Sequence, residues 1–263
     1  MKKVIVALVV LIVAVTVVAW PSWNGSQEPL YQGWIEADLV FVSPDETGRI
    51  VTLSVREGDH VDARAPLFTL DDELQQAAVN QVRAEVTNAQ QTLDRAQQLL
   101  KANAGTQRAF DDAQMTMRTA EARLNSAQTR LLRRSVFSPV TGSVQQIYFR
   151  QGEMAGSGRP VVALLPPENI KVRFFVPEAK LPQLAIGETV SIKCDGCDGE
   201  ITARVTFMSR TAEYTPPVIY SSEERSKLVF MIEARPAQPD RLRVGQPVSV
   251  ALKAEEAREA KKR

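Results

Sequence analysis

The sequence has few of the side chains from which catalytic and metal sites are built. Its 263 residues include one histidine and two cysteines. A lone His60 cannot complete a Ser/His/Asp or Cys/His set, and no Gly-rich phosphate-binding fingerprint occurs. With 32 basic and 31 acidic residues, the formal net charge is +1, which gives no electrostatic reason to expect nucleic-acid binding. These absences favour a non-enzymatic protein without a metal or a cofactor.

Helix-breaking residues are missing from a long central stretch. The chain has 15 prolines and 13 glycines, yet no proline lies between Pro66 and Pro139. Gly105 is the only glycine between Gly58 and Gly142. Because proline and glycine interrupt helices, this stretch predicts long, continuous helices.

Apolar residues recur every three or four positions in two arms of this stretch. The first arm carries Val79, Val82, Val86, Ala89, Leu93, Ala96 and Leu100, and the second carries Phe110, Ala113, Met117, Ala120, Leu124, Ala127 and Leu131. Such seams are typical of coiled coils. Between the arms, the sequence Asn-Ala-Gly at residues 103–105 offers a stop that tolerates the left-handed conformation, and Thr106 can cap the next helix. We therefore expect an antiparallel α-helical coiled-coil hairpin over residues 72–134.

A motif on one side of this insertion recurs on the other side. Gly48 recurs as Gly142 and Pro66 recurs as Pro160, each 94 positions later. Both copies alternate apolar and polar residues as short half-buried strands do, with glycines where tight turns need a positive φ. The repeat predicts two β half-domains that pair across the helical insertion.

The region after the second copy has the pattern of a small β-barrel. Several short segments alternate apolar and polar residues and are separated by turn residues. They are residues 170–176, 189–193, 201–208, 227–233 and 247–252. Together they predict a β-barrel domain over residues 166–253, followed by a charged tail at 254–263.

The N-terminus carries a long apolar run. Residues 4–20 are uncharged and would extend roughly 25 Å as a helix, close to the thickness of the hydrocarbon core of a membrane. Lys2 and Lys3 precede the run and no basic cluster follows it, which predicts a cytoplasmic N-terminus. We expect a single-pass inner-membrane anchor at residues 1–20 and a linker at 21–31. A cleaved signal peptide remains the alternative, because residues 17–19 fit a signal-peptidase site.

The two copies of the motif resemble the half-motifs of biotinyl-lipoyl domains. A lipoyl-like domain split by a helical hairpin is typical of the HlyD-type membrane fusion proteins, the periplasmic adaptors of bacterial export and efflux systems. The chain resembles that family over nearly all of residues 32–252. The resemblance implies a mixed all-β and coiled-coil fold after an N-terminal transmembrane helix. Residues 32–71 and 135–165 would form the split lipoyl-like domain.

The tip of the hairpin resembles the pattern that adaptors use to dock onto TolC-type outer-membrane channels, R-L-x2-L-x4-A-I-S-x4-D. The matching residues are Arg95, Leu99, Ala104, Thr106 and Asp111. Ala96 and Gly105 depart from the pattern, and Thr106 replaces its serine. Arg95 and Leu99 lie one helical turn apart and therefore share a face. The resemblance implies that these residues contact an outer-membrane channel.

Residues 212–221 resemble a segment of adaptors that work with ABC transporters. The resemblance therefore implies an inner-membrane ABC-type transporter, a TolC-like channel and a homohexamer as partners. Two alternatives stay open. One is a membrane-anchored periplasmic coiled-coil scaffold that is unrelated to export. The other is a lipoyl or biotinyl carrier, although Lys101, the only lysine between Pro66 and Pro139, lies in the hairpin tip instead of a β-hairpin.

The two cysteines form a Cys-Asp-Gly-Cys sequence at an expected strand turn. A disulfide between Cys194 and Cys197 is favoured if this domain lies in the oxidising periplasm. Free thiols and redox or metal chemistry are the alternatives. A structural zinc site would need four protein ligands, and the single histidine, His60, is distant in sequence.

Overall fold

The computed structural model describes residues 30–197, 199–214 and 228–252. The chain divides into two compact units, one of residues 37–169 and one that joins the residues up to Glu36 with those from Ile170 onward. The expected anchor, most of the linker and the charged tail lie outside the described residues. Within the described part of the chain, no helix is both long and apolar enough to cross a membrane.

The described chain is rich in short strands and has two long helices. Its first half contains β1 (Tyr31–Ala37), β2 (Val40–Val42), β3 (Gly48–Leu53), β4 (His60–Val61), β5 (Pro66–Leu70), α1 (Glu73–Lys101) and α2 (Gln107–Leu132). Its second half contains β6 (Ser135–Phe137), β7 (Gly142–Ile147), β8 (Met154–Ala155), β9 (Val162–Leu165), β10 (Ile170–Pro177), β11 (Thr189–Lys193), β12 (Ile201–Tyr214), β13 (Leu228–Pro236) and β14 (Pro247–Leu252). Short 3₁₀ helices cover Pro167–Asn169, Glu178–Gln183 and Pro239–Arg241.

The unit of residues 37–169 contains two four-stranded sheets, ordered β2-β9-β7-β4 and β6-β5-β3-β8. Each sheet takes two strands from before the hairpin and two from after it, so neither half completes a sheet alone. Their shared core includes the fully buried side chains of Leu67, Phe68, Val161 and Leu164. The predicted pairing of two β half-domains across the insertion is confirmed.

The two halves make equivalent backbone hydrogen bonds to each other. The N–H of Gly58 donates to the Val144 carbonyl at 2.8 Å, and the N–H of Gly152 donates to the Ile50 carbonyl at 2.8 Å. Both glycines have a φ of 91°, a conformation that glycine adopts without steric cost. The sequence repeat is therefore also a repeat of structure, in which each half supplies a turn that fixes a strand of the other.

The helices α1 and α2 pack along the predicted seams. All the seam residues are buried or half-buried. The buried ones are Val79 and Ala89 on α1 and Ala113, Met117 and Ala120 on α2. Alternation of alanine with larger apolar residues lets the two backbones approach closely while filling the space between them. The predicted coiled-coil hairpin is confirmed.

The second unit is a closed barrel with the strand order β1-β10-β13-β12-β11-β14. Alternate residues of each strand point inward, as expected from the twofold period of a strand. In β10, for example, Val172, Phe174 and Val176 are fully buried, whereas Arg173 and Phe175 are half-buried. This barrel agrees with the fold that the family resemblance implies.

The first strand of this barrel corrects one expected boundary. The lipoyl-like domain was expected to begin at residue 32, but β1 pairs antiparallel with β14, with Tyr31 opposite Val250 and Trp34 opposite Pro247. Gly33 fits this position because a Cβ there would lie 2.4 Å from the carbonyl oxygen of Arg173. Residues 32–36 therefore belong to the barrel.

The hairpin of β12 and β13 is longer than the sequence pattern predicts. β12 extends to Tyr214, beyond the expected end at residue 208, and β13 continues to Pro236. The pairing shifts register between Val205 and Phe207 and again between Met208 and Ala212. These irregularities interrupt the simple alternation on which the strand prediction relies.

Four turns with one hydrogen-bond pattern precede strands of the two units. They are residues 56–59, 150–153, 185–188 and 243–246. In each, the N–H of the first residue donates to a side-chain oxygen of the fourth, and the N–H of the fourth donates back to the first carbonyl. The third residue is always a glycine with a φ between 85° and 91°, as a type II turn requires.

Candidate docking site at the hairpin tip

The first helix ends in a tight left-handed turn. Asn103 has a φ of 54°, and its N–H donates to the Leu100 carbonyl at 3.0 Å. The next N–H, of Ala104, reaches back to the Leu99 carbonyl at 2.8 Å. These two bonds form a Schellman motif, which satisfies carbonyls that the helix end would otherwise leave without partners. Ala104 is exposed at this turn.

The second helix begins with a side-chain cap. Thr106 has an extended backbone, and its Oγ1 accepts a hydrogen bond from the N–H of Ala109 at 3.2 Å. This is the cap that the sequence predicts. One turn later, the side-chain amide of Gln107 donates to Oδ1 of Asp111 at 2.8 Å. Asp111 therefore stabilises the first turns of α2 while remaining exposed.

Gly105 explains one departure from the family's docking pattern. A Cβ at this position would lie 3.0 Å from the Cβ of Leu99 and 3.1 Å from the backbone nitrogen of Leu100. The isoleucine that the pattern has here would force the end of α1 to shift. With glycine at this position, the loop packs against the end of α1 more closely than an isoleucine would allow.

Arg95 and Leu99 are both exposed near the end of α1, with 45% of Leu99 accessible. Within the described residues, the Arg95 guanidinium has no hydrogen bond or ion pair. Its five N–H donors are thus free to bind carbonyl or carboxylate groups. An apolar side chain one turn away on the same face adds a contact that would favour burial against a partner.

The predicted tip residues therefore fall into two groups. Arg95, Leu99 and Ala104 are exposed and make no side-chain hydrogen bond within the described chain. Thr106 and Asp111 are exposed but also make hydrogen bonds that stabilise α2. The structure brings all five to the end of the hairpin, in the loop and the adjoining helix ends.

The root of the hairpin contains a residue that sequence reasoning did not identify. Arg134 is 8% exposed and follows α2. Its guanidinium donates to the Thr47 carbonyl at 3.1 Å and to the Glu46 carboxylate at 3.0 Å. Nearby, Arg133 forms an exposed ion pair with Asp45 at 3.4 Å. These contacts join the end of α2 to the turn before β3, which fixes where the hairpin leaves the sheets.

The cysteines and the histidine lie away from the tip residues in sequence. The structure joins Cys194 and Cys197 in a disulfide with their Cα atoms 5.4 Å apart, and the Gln246 side-chain amide lies 3.8 Å from the sulfur of Cys197. His60 is an exposed residue of β4, 4.0 Å from Asp62. Among the described residues, no cluster of histidine, cysteine and acidic side chains could hold a metal ion.

Sequences similar to this chain include bacterial proteins that are named as membrane proteins or as uncharacterized proteins. A UPF0194 membrane protein of Acidithiobacillus ferridurans is 26% identical over 323 aligned residues, which cover 95% of this chain and 96% of the relative. The uncharacterized protein YdhJ of Escherichia coli is 26% identical over 261 residues, covering 93% and 89% of the two chains. The first alignment is longer than this chain, so that relative has internal residues that are absent here.

Solved structures share the fold. A chimeric MacA-MexA protein that contains the Pseudomonas aeruginosa MexA α-hairpin domain superposes with a TM-score of 0.69 and 17% identity, over 87% of this chain and 81% of the chimera. The membrane fusion protein Spr0693 of Streptococcus pneumoniae gives a TM-score of 0.65 and 19% identity, over 85% and 99% of the two chains. At these identities the likeness concerns the fold alone.

The family match covers the unit that carries the hairpin. Residues 38–165 match the family described as RND MFP, barrel-sandwich hybrid domain. This range contains both four-stranded sheets and the whole hairpin, which is the arrangement that the split repeat predicts. Residues 38–165 therefore belong to the membrane fusion protein family as its barrel-sandwich hybrid domain.

Proposed function

We propose that this protein links an inner-membrane transporter of the ABC type to a TolC-like outer-membrane channel. The observation that carries this proposal is the free, exposed pair of Arg95 and Leu99 at the end of a rigid two-helix arm. A structural brace has no need of an unpaired guanidinium beside an exposed leucine. A docking tip has use for both, because the guanidinium gives directional hydrogen bonds and the leucine gives apolar contact.

The arm suits the task mechanically. α1 has 29 residues and would be about 43 Å long at the rise of an α-helix. Its seam with α2 is continuous, so the pair resists bending better than a single helix. The tip is fixed by the Schellman turn and by the Thr106 cap, which leaves the hydroxyl hydrogen of Thr106 available to donate to a partner carbonyl.

The proposal also includes attachment of the adaptor to the inner membrane. In this proposal residues 1–20 anchor the chain with the N-terminus in the cytoplasm, and the rest lies in the periplasm. The barrel contacts the transporter. The ABC type is suggested by the resemblance of residues 212–221, of which 215–221 lie outside the described range. The family that matches residues 38–165 is described as RND MFP. The ABC type therefore rests on the resemblance of residues 212–221 alone.

In this proposal the adaptor catalyses no reaction. Several copies, a homohexamer by family resemblance, would pack their split β domains side by side around an export path, and the hairpin tips would recruit the channel.

The alternative function, a lipoyl or biotinyl carrier, requires a modified lysine. Lys101 is an exposed residue in the last turn of α1, and the intact mass of the protein tests directly whether it carries a lipoyl or biotinyl group.

The substitution Arg95→Asp tests the proposal. It reverses the charge on an exposed helix face, so the fold should be unchanged, while channel binding should weaken by about tenfold or more. The measurement is the amount of outer-membrane channel that co-purifies with the tagged full-length adaptor, together with export by the same cells. Arg118→Asp is the matched control, because Arg118 is an exposed arginine of α2 away from the tip. If the channel co-purifies equally with both variants, the tip does not bind the channel through Arg95 and the proposed docking site is wrong.

A further inference from the structure

The barrel has a cavity of about 640 Å³ on its outer surface, where β14 lies between β1 and β11. Protein sites for small molecules have volumes of about 300–1,000 Å³. The lining comes from three segments, within residues 30–34, 193–195 and 247–249. All three belong to the barrel unit, and none takes part in the proposed docking tip. The cavity is therefore a candidate for a separate binding site.

A row of three polar side chains crosses this cavity. Gln32 on β1 lies opposite Ser249 on β14, and Lys193 on β11 lies opposite the same serine from the other side. The residues next to them within each strand are buried in the barrel, so these three side chains point outward. Because neighbouring strands are about 4.8 Å apart, the row extends about 10 Å.

The three polar groups have no partner of their own. Within the described residues, none of Gln32, Ser249 and Lys193 makes a side-chain hydrogen bond or an ion pair. Together they offer N–H and O–H donors and one positive charge, which favour the oxygens of an anion such as a carboxylate. Asp195 also lines the cavity and is exposed. Its carboxylate repels a bare anion but can accept a hydrogen bond from a ligand hydroxyl.

An aromatic ring lies beside this polar row. Trp34 is two residues from Gln32 on the same face of β1 and opposite Pro247, about 7 Å along the strand. Its indole lies against the ring of Phe175, with the centroids 5.5 Å apart, and its Nε1 donates to the Glu36 carboxylate at 2.6 Å. These contacts fix the indole, while 39% of Trp34 stays exposed. The cavity thus has a rigid, flat apolar platform.

The disulfide restrains the side of the cavity that carries the charges. Cys194 lines the cavity between Lys193 and Asp195, and its bond to Cys197 closes the loop that follows β11. A restrained loop loses less conformational freedom when a ligand binds. The disulfide therefore favours binding by holding both charged residues in place.

We propose that this cavity binds a sugar acid, a sugar ring that carries a carboxylate. The apolar C–H face of the ring lies on Trp34, and the carboxylate binds the row of Gln32, Ser249 and Lys193. Ring hydroxyls donate to Asp195. A simple anion would leave the indole uncovered, and a neutral sugar would leave the Lys193 charge without a partner. The inference goes beyond the adaptor function and does not depend on it.

The experiment titrates the purified full-length protein, in a detergent without a sugar headgroup, with three probes. Galacturonate has both the ring and the carboxylate, galactose has the ring alone, and acetate has the carboxylate alone. Saturation-transfer NMR of the probes measures binding. We expect galacturonate to bind at least about tenfold more tightly than either other probe. No binding of galacturonate would overturn the proposal, as would equally tight binding of galactose or acetate.

Variants locate the binding in this cavity. Lys193→Met keeps an unbranched side chain but removes the charge, so galacturonate affinity should fall about tenfold, to that of galactose. Lys101→Met is the matched control, because Lys101 is an exposed lysine of α1. Trp34→Leu should weaken both sugars, since it removes the platform. All positions are exposed, and melting temperatures check that the variants fold. Equal galacturonate binding by Lys193→Met and Lys101→Met would overturn the proposal.

A short oligomer of galacturonate distinguishes two sources of the ligand. Tighter binding of the oligomer than of the monomer, lost in Lys193→Met, would support the proposal and assign the site to an acidic polysaccharide. Binding of the monomer alone would support it with a free sugar acid as the ligand. Oligomer binding that is equal in Lys193→Met and in the unaltered protein would place the contact elsewhere and overturn the proposal.

Discussion

Arg64 and Gly158 occupy equivalent positions in the two halves of the split β domain and have nearly the same backbone conformation, with φ values of 70° and 71°. The N–H of Arg64 donates to the Ser138 carbonyl at 2.7 Å, and the N–H of Gly158 donates to the Pro44 carbonyl at 3.0 Å. The fold thus imposes a left-handed residue at this point of both halves. Only the second half has a glycine here, which adopts the left-handed conformation without strain.

This pair gives a first prediction about stability. Arg64→Gly should raise the free energy of unfolding by up to about 1 kcal/mol, because relief of the left-handed strain outweighs the flexibility that glycine adds to the unfolded chain. Gly158→Ala should lower it by about 1 kcal/mol, since the site has space for a Cβ but an unfavourable φ. Thermal unfolding of the full-length protein measures both. Destabilisation by Arg64→Gly would contradict the equivalence of the two positions.

Gly142 and Gly152 need to be glycine for different reasons, one because a side chain would clash and the other because of its backbone conformation. A Cβ on Gly142 would lie 2.5 Å from the carbonyl oxygen of Leu165, which is backbone and cannot move aside easily. Gly142→Ala should therefore cost about 3 kcal/mol of stability. Gly152 has open space around it and only a positive φ, so Gly152→Ala should cost about 1 kcal/mol. Melting temperatures of the two variants provide the comparison, and equal losses would contradict the close packing at Gly142.

The root of the hairpin gives a third prediction. Arg134→Ala removes a buried guanidinium and leaves the Thr47 carbonyl and the half-exposed Glu46 without their partner. We expect a loss of about 2–3 kcal/mol. Arg133→Ala removes an ion pair whose members are 59% and 61% exposed, so it should cost less than about 1 kcal/mol. Unfolding of both variants measures this difference, and similar losses would show that Arg134 does not hold the root.

The disulfide gives a fourth prediction. The Cys194–Cys197 bond closes a short loop, so its removal by the double change of Cys194→Ser and Cys197→Ser should cost only about 2 kcal/mol on the loop-closure estimate. Intact mass under non-reducing and reducing conditions shows whether the bond is present in the mature protein. A reductant should lower the melting temperature of the unaltered protein and leave that of the double variant unchanged. A shift in both would mean that the reductant acts elsewhere.

Much of the fold was predictable because its signals are local or repeated. The seams of α1 and α2 follow helical periodicity, and the absence of proline and glycine marks the extent of the hairpin. The predicted stop at residues 103–105 and the Thr106 cap are both confirmed, and within the stop it is Asn103 that adopts the left-handed conformation. The repeat of Gly48 at Gly142 predicted that two halves share one domain, because equivalent turns need equivalent glycines.

Other features leave no local trace in the sequence. The first strand alternates apolar and polar residues as any half-buried strand does, and its partner β14 begins at Pro247, far away along the chain. The burial of Arg134 depends on Glu46 and Thr47, which approach it only after the two halves have paired. The tip residues were predictable as exposed helix-end residues, whereas their proposed role as a docking site comes from family resemblance.

The central claim is tested most directly by photo-cross-linking in living cells from position 108. Arg108 lies at the start of α2, and its side chain is 93% exposed, so a photoreactive residue there should leave the fold unchanged. The captured proteins would then be identified by mass spectrometry. The adaptor account predicts an outer-membrane channel among them. Capture of only other copies of this chain, or of a soluble periplasmic protein, would contradict it and favour a periplasmic scaffold unrelated to export.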